Sequence, residues 1–296
     1  MKFLRSHAAA FSLIEVMITL AVVGITGVGV FEILRTGLIL FGKNSATNLS
    51  HVESRFGLLE LQQDLNSAVS TPELTDSGCN ILSSGTASGP AAGVYFQAYA
   101  GGPFCLYPVT SGSIPASATS IQVITGNNFT PLPGQMINIQ AVPLTTTSTT
   151  SLLEVTLGGT GPYSASTTSA GTTYTPTLAN AVGASINTND PVSGTALHVA
   201  CFFTTPVDYV VQNGELVKYT LSPSGNGKMV ATVLSYNVSS TTPFTMPTIN
   251  SSPQNTFLEV ANLTAFDPSS SNRGYKSVIT PFTLQIPHFS QLTVKY

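Results

Sequence analysis

The first strong pattern in the chain is a continuous apolar run close to its N-terminus. Residues 11–31 contain Glu15 as their only charged side chain. At 1.5 Å per helical residue the run spans roughly 31 Å, which matches the hydrocarbon thickness of a bilayer. The leader before it, residues 1–10, carries Lys2 and Arg5. The positive-inside rule therefore places the leader in the cytoplasm and everything after about residue 42 on the other side of the membrane.

A helical period continues beyond the apolar run. Large apolar residues recur at steps of three and four, which predicts an amphipathic extension of the same helix. Pro72 cannot continue a helix, so we expect the helix to end near residue 69. The chain then divides into a leader (1–10), a membrane helix (11–42), an amphipathic helix (43–70) and a globular domain (71–296). Two apolar series carry the prediction, Leu49, Val52, Phe56 and Leu59, and Leu58, Leu61, Leu65 and Val69.

From about residue 73 the pattern changes to the two-residue period of β-strands, with Gly, Pro, Asn and Ser between the runs. Asn213-Gly214 separates two alternating runs and predicts a hairpin with a type I′ turn. The Ser/Thr-rich residues 141–190 predict either an insertion with long mobile loops or a second small β subdomain. The predicted strands cover residues 94–99, 120–125, 136–142, 152–157, 197–204, 207–212, 215–221, 229–236, 257–266, 276–282 and 291–295.

These patterns together predict an α+β protein. A long N-terminal helix, membrane-spanning in its first half, would pack its second half on an antiparallel β-sheet domain with long Ser/Thr-rich loops.

Charge is scarce along the whole chain. Charged residues make up 8% of the sequence, about a third of the usual share, and the formal net charge is −3. Between Ser77 and Val207 only Glu154 and Asp190 are charged. The sequence has no basic surface for nucleic acid, which is therefore not expected as a main partner. Such a composition is typical of an exported bacterial wall or filament protein.

The three cysteines have no close spacing such as CxxC, so they indicate neither a zinc site nor a redox motif. In an oxidising compartment Cys79 and Cys105 would close a loop of about 27 residues, worth roughly 3 kcal/mol. Cys105 with Cys201 is the alternative pair. Three buried free thiols are the remaining interpretation.

Residues for catalysis or cofactor binding are sparse. The four histidines lie far apart in the sequence and form no HxxxH or HExxH motif. The segment from Ser224 to Met229 lacks the spacing of a P-loop and reads as a turn. We therefore expect no metal, no cofactor and no enzymatic activity.

The start of the apolar run resembles the cleavage and methylation motif of type IV prepilins and type II secretion pseudopilins. The residues that carry the resemblance are Ala10-Phe11-Ser12-Leu13-Ile14-Glu15-Val16-Met17. The resemblance implies that prepilin peptidase cuts between Ala10 and Phe11 and methylates the new amine of Phe11. Ala10 departs from the commonest pattern, which has Gly before the cut. An ordinary signal peptide would instead place small residues after the apolar region.

The resemblance also explains Glu15. A carboxylate in hydrocarbon costs roughly 3 kcal/mol and is tolerable only beside an opposite charge. By resemblance, Glu15 of one subunit pairs with the Phe11 amine of its neighbour and sets the axial register of a filament. The four-residue spacing also allows a pair within one chain.

Two later segments, residues 56–65 and 209–219, resemble the larger minor subunits, the J-type pseudopilins and the W-type minor pilins. The resemblance implies a subunit of the bacterial inner membrane that later joins a periplasmic or extracellular filament. Its partners would be prepilin peptidase, other pilin or pseudopilin subunits, an inner-membrane assembly platform and, before assembly, membrane lipid. The machine itself, a pilus, a competence pilus or a secretion pseudopilus, is left open.

Other functions stay open at this point. The chain could be the major subunit of a filament, or its anchor could carry a surface adhesin or sugar-binding domain. The adhesin hypothesis depends on residues 141–190 and on the aromatic residues Tyr95, Phe96, Tyr99, Phe104 and Tyr107, which fit a core equally well. A membrane-tethered hydrolase is a third alternative, and it needs a cleft in which a histidine and a carboxylate meet.

Overall fold

The chain divides into two compact units, residues 1–49 and 50–296. The computed structural model describes residues 13–82, 89–107, 113–126, 128–140, 152–168, 171–183, 186–187, 199–236, 238, 240–246, 248–249, 252–253, 257–260, 265–266, 276–277 and 282–285.

One long helix, α1, covers Leu13–Asn66 and contributes turns to both units. In the first unit its large apolar side chains are exposed all round, from 83% at Leu13 to 38% at Ile39. In the second unit the helix is amphipathic, because Leu61 and Leu65 are fully buried while other apolar positions face solvent. The continuous helix confirms the predicted combination of an apolar and an amphipathic segment.

The helix ends three residues earlier than the predicted position near residue 69. The Val69 N–H donates to the Gln97 carbonyl over 2.7 Å, and the Tyr99 N–H donates to the Ser67 carbonyl over 2.7 Å. The backbone after Asn66 therefore bonds to a neighbouring strand, and this pairing ends the helix before Pro72 is reached.

The strands of the described residues are short except for two in the middle of the main sheet. Their bounds are β1 Glu73–Thr75, β2 Gly93–Tyr107, β3 Ser113–Ile114, β4 Gln122–Thr125, β5 Met136–Gln140, β6 Leu152–Thr156, β7 Ala165–Thr168, β8 Gly171–Tyr174, β9 Ile186–Asn187, β10 Val199–Gln212, β11 Glu215–Leu221, β12 Met229–Ser235, β13 Phe244–Thr245, β14 Thr248–Ile249, β15 Ser252–Pro253, β16 Phe257–Val260, β17 Ala265–Phe266, β18 Lys276–Ser277 and β19 Phe282–Gln285.

The main sheet is antiparallel and has the order β12-β11-β10-β2-β4-β8-β7. β1 adds to β2, and β5 and β6 form a further branch beside β10. A smaller sheet of β13, β16 and β19 joins this arrangement where Ala91 bridges to Phe244. The fold is therefore the expected α+β architecture, a long N-terminal helix followed by an antiparallel β-sheet domain.

β10 joins two segments that the sequence predicts as separate strands, 197–204 and 207–212. Its first half pairs with β5 as far as Thr204, and its second half pairs with β11 from Val207. Pro206 lies between the end of the β5 pairing and the start of the β11 pairing. Neither strand needs a hydrogen bond from its backbone nitrogen, so a proline is tolerated there. One continuous strand thus serves both halves of the sheet.

The predicted hairpin at Asn213-Gly214 is confirmed. Asn213 and Gly214 have φ angles of 51° and 78°, the left-handed conformations that a type I′ turn requires. β10 and β11 then pair residue by residue from Gln212↔Glu215 to Val207↔Thr220.

Two separate hydrophobic clusters fill the second unit. The first contains the end of α1 together with residues of β1, β2, β10, β11, β13 and β16, and includes Leu61, Leu65, Phe96, Tyr209 and Phe244. The second contains residues of β2 to β6, β9 and the first half of β10, and includes Val123, Ile137, Ile139 and Phe203.

The Ser/Thr-rich segment 141–190 contributes to both the main sheet and the second cluster. Of its described strands, β6, β7 and β8 belong to the same sheet as β10, whereas β9 pairs with β3. Leu157, Tyr163 and Leu178 are buried in the second cluster. β7 and β8 were not predicted, because their Ser and Thr residues carry no apolar alternation.

The C-terminal strand predictions are only partly matched. β16 and β17 lie at the two ends of the predicted strand 257–266, and β18 and the start of β19 lie at the two ends of the predicted strand 276–282. The residues between them lie outside the described residues. The prediction at 291–295 lies outside the described residues.

Candidate functional site

The N-terminal motif lies at the start of α1. The predicted cleavage pair, Ala10 and Phe11, lies outside the described residues, so their predicted roles stay predictions. Glu15 is in the first turn of the described helix, where the partial positive charge of the helix N-terminus favours a carboxylate. The Thr19 hydroxyl donates to the Glu15 backbone carbonyl over 2.8 Å, so this hydroxyl has a hydrogen-bond partner within its own helix.

The helix from Leu13 to Gly42 is long and apolar enough to cross a membrane. No residue in the most apolar stretch of this helix is buried against the rest of the protein. An apolar surface of this size does not stay in water, so it requires a bilayer or other apolar helices around it. This segment can therefore contact either membrane lipid or the apolar helices of other proteins.

A second candidate site lies in the second unit, where the end of α1 crosses the hairpin of β10 and β11. The Lys218 ammonium contacts Glu60 Oε1 and Asp64 Oδ2, each over 2.7 Å. The Tyr209 hydroxyl donates to Asp64 Oδ2 over 2.6 Å. We call Glu60, Asp64, Tyr209 and Lys218 the clamp.

The clamp unites residues 56–65 and 209–219, the two segments on which the predicted likeness to large minor subunits depends. Glu60 and Asp64 come from residues 56–65, while Tyr209 and Lys218 come from residues 209–219 and face each other across the β10–β11 ladder. The Lys218 ammonium also lies 5.8 Å from the centroid of the Tyr209 ring, within cation–π range. Sequence reasoning found both segments but did not predict that they would be in contact.

Protonation states in the clamp follow from its environment. Burial raises the pKa of the Tyr209 phenol, and the neighbouring Asp64 carboxylate raises it further, so Tyr209 remains a hydrogen-bond donor. Burial lowers the pKa of Lys218, but its hydrogen bonds to Asp64 and Glu60 outweigh this effect and the net pKa is raised. The clamp therefore contains a cation held between two carboxylates.

A close contact between helix and strands lies one turn before the clamp. A Cβ atom at Gly57 would lie 3.0 Å from Leu216 Cδ2 and 3.5 Å from Leu234 Cβ. The absence of a side chain at Gly57 lets α1 approach the sheet closely enough for Lys218 to contact both carboxylates.

A buried polar cluster lies beside β10 and was not predicted. The Asp208 side chain is only 3% exposed, and burial raises its pKa to about 6. It accepts hydrogen bonds from the Thr75 hydroxyl over 3.2 Å and from the Cys79 thiol. Burial and the Asp208 charge raise the pKa of Cys79 to about 12, so this thiol stays protonated. In the sequence Asp208 is a single Asp within an alternating run, and this pattern does not indicate that its carboxyl group is buried.

All three cysteines are free thiols in this structure. Cys79 contacts Asp208, whereas Cys105 pairs in register with Ala200. Cys201 is the next residue after Ala200, so its side chain points to the opposite face of the sheet from that of Cys105. Neither predicted pair is therefore joined, and the register disfavours a bond between Cys105 and Cys201.

Two of the five aromatic residues behind the adhesin hypothesis, Phe96 and Phe104, pack in the hydrophobic clusters. Phe96 is fully buried and stacks on Tyr209 with 6.3 Å between the ring centroids. Phe104 packs against Phe129 and Phe203. Tyr99 is 37% exposed and packs against Phe202 with 6.4 Å between the ring centroids.

An open cleft of about 600 Å³ lies between the Asn213 turn, the loop of residues 75–82 and Thr241-Thr242. Asp76 is the only titratable side chain among its described lining residues. Two backbone N–H groups and the Asn80 side chain already bond to the Asp76 carboxylate. The cleft thus lacks the paired histidine and carboxylate that a hydrolase needs.

Comparison with known proteins gives a match at the N-terminus. A family model described as the prokaryotic N-terminal methylation motif matches residues 5–31. No curated protein and no solved structure matches the chain.

Proposed function

We propose that the chain is a minor structural subunit of a type IV pilus or a type II secretion pseudopilus. The matched motif indicates a pilin- or pseudopilin-type subunit processed by prepilin peptidase, a family of structural and generally non-enzymatic proteins. The motif and the apolar helix together indicate membrane anchoring before filament assembly. Its work is assembly through the N-terminal helix, with the β domain outside the membrane.

One observation carries the proposal. The methylation motif leads directly into a helix whose large apolar side chains are exposed from Leu13 to Phe41. Such a helix needs a lipid environment first and can exchange it for the helices of neighbouring subunits, because both are apolar. No cofactor or substrate is needed for that function.

In the proposed mechanism, cleavage between Ala10 and Phe11 creates a new amine four residues before Glu15. The methylated amine remains a cation and pairs with Glu15 of the adjacent subunit. This pair offsets the cost of holding Glu15 in an apolar environment and fixes the axial register of the subunits. Lys2 and Arg5 favour a cytoplasmic leader, so the inner membrane is crossed once.

The assignment as a minor subunit is supported by the clamp and by size. The clamp connects the two segments that resemble the J-type pseudopilins and the W-type minor pilins. A chain of 296 residues is also large for a compact major pilin. A minor subunit would act at a filament tip or during initiation, with prepilin peptidase, other subunits and an inner-membrane platform as its partners.

The test is mass spectrometry of the N-terminal peptide from the native envelope, combined with the abundance of the protein in sheared filaments. We expect a methylated N-terminus at Phe11 and low abundance in the filaments. A methylated start at high abundance would identify the main building block instead. An intact Met1, or a start beyond residue 31, would refute processing by prepilin peptidase.

A further inference from the structure

Besides Glu15, two charged side chains interrupt the apolar part of α1, Glu32 and Arg35. Arg35 Nη1 lies 3.7 Å from Glu32 Oε1, and the two side chains are 64% and 58% exposed. The helix is apolar before this pair and becomes apolar again at Leu38. An exposed pair three residues apart stabilises a helix only weakly. The weak ion pair within one helix therefore does not explain why two charged residues occur in this apolar segment.

Helix length indicates where these charges lie before assembly. The apolar stretch Leu13–Gly42 has 30 residues, which makes about 45 Å of helix against about 30 Å of hydrocarbon. About a third of the stretch must lie outside the bilayer. With the leader in the cytoplasm, the hydrocarbon region ends near Glu32, so Glu32 and Arg35 lie at the interface in contact with water.

Assembly changes this environment. Four residues that follow Thr36 and Gly37 are large, apolar and exposed, namely Leu38, Ile39, Leu40 and Phe41. They are covered when other helices surround α1. Packing on both sides of the pair also removes water from Glu32 and Arg35. Charges taken out of water need close partners of opposite sign.

A second copy of this chain provides those partners. Its helix carries the same carboxylate and guanidinium, Glu32 and Arg35. An Arg–carboxylate contact between two helices has the geometry for two parallel hydrogen bonds. We propose that Glu32 of one subunit binds Arg35 of an adjacent copy, as a charge contact between helices in addition to that of Glu15. This rests on the proposed function, and it requires at least two neighbouring copies in the assembly.

The experiment uses full-length chains with two different tags, co-expressed in the native host and purified together from detergent-solubilised envelope. Glu32→Arg places two cations on the helix, and Arg35→Glu places two carboxylates there. Each variant expressed alone is expected to lower co-purification of its own copies about tenfold, because like charges repel strongly where water is excluded. Co-expression of the two variants is expected to restore it.

The restoration isolates the contact between subunits, since in neither variant do positions 32 and 35 of one helix carry opposite charges. Arg55→Glu, an exposed charge reversal farther along α1, is the matched control and leaves co-purification unchanged. Normal co-purification of either single variant, or loss that the mixture does not restore, would overturn the proposal. So would wild-type copies that do not co-purify. Cleavage before Phe11 is measured in the same samples, so a failure of the proposed function is recognised separately.

Discussion

At the scale of single residues, the clamp holds one cation between two carboxylates in a half-buried position. The Lys218 side chain is 15% exposed, and those of Glu60 and Asp64 are 32% and 20% exposed. Partial burial reduces screening by water, so the pair is stronger than an ordinary surface ion pair. It also makes the loss of one partner costly, because the other charges stay partly buried.

We predict that Lys218→Met lowers the free energy of unfolding by about 2 kcal/mol, because it leaves Glu60 and Asp64 without their cation. Chemical denaturation of the full-length protein in detergent measures this change. Lys228→Met removes an exposed lysine from the same hairpin region and is expected to change stability by less than about 0.5 kcal/mol. Equal effects of the two substitutions would show that the clamp contributes nothing specific.

Asp208 gives a pH dependence of unusual sign. Its pKa is raised from 3.8 to about 6, so the folded protein keeps a proton that the unfolded chain releases. The contribution of this proton to stability is fully present below pH 4 and is lost as the pH rises through 6. At neutral pH the buried carboxylate is therefore a destabilising group.

We predict that Asp208→Asn stabilises the protein at pH 7 by roughly 2 kcal/mol and that its advantage disappears toward pH 4. The readout is the difference in unfolding free energy between wild type and variant across this range. Asp76→Asn is the contrasting control, because hydrogen bonds from Asn80 lower the pKa of Asp76 and its contribution is lost as the pH falls. A constant difference for Asp208→Asn at every pH would disprove the assignment.

At the scale of elements, the contact of α1 with the sheet depends on the missing side chain at Gly57. A Cβ there already presses on Leu216, which is fully buried and has no free space to move into. A larger side chain must push the helix away from β11 and β12. The clamp lies one turn farther along the same helix and would be displaced with it.

We predict that Gly57→Leu destabilises the second unit by about 1–3 kcal/mol through overpacking, even though Leu favours a helix more than Gly does. Gln63→Leu, on the exposed side of the same helix, is the control for helix propensity and added hydrophobicity. Thermal unfolding followed by circular dichroism distinguishes the two. A variant at Gly57 as stable as wild type would mean that α1 is less closely packed than this contact implies.

The predictability of the elements depended on local signals. α1 and the Asn213-Gly214 hairpin were predicted because apolar spacing and turn chemistry lie within a few neighbouring residues. β7 and β8 were missed, because Thr and Ser show no alternation that distinguishes a strand from a loop. The joining of two predicted segments into β10 was also missed, since Pro206 is tolerated there only because β5 ends and β11 begins beside it.

At the scale of the whole molecule, the anchoring function could be read from the first 31 residues, whereas the site in the second unit could not. The clamp contacts join residues 145 and 158 positions apart in the sequence. No local pattern specifies which strand residues will meet which helix residues over such separations. Asp208 is a similar case, because its environment arises from β1 and the loop that carries Cys79.

The clamp has a further consequence for how the protein responds to trypsin, which cuts after Lys and Arg. The sequence has no Lys or Arg between Arg55 and Lys218. Lys228 is exposed, whereas the ammonium of Lys218 is held by two carboxylates. Of these two lysines, we expect limited digestion of the native protein to cut after Lys228 first, and cutting after Lys218 to begin only when the helix separates from the hairpin. The ratio of the two fragments on a gel would then report helix detachment, and simultaneous cutting at both sites would show that the clamp does not protect Lys218.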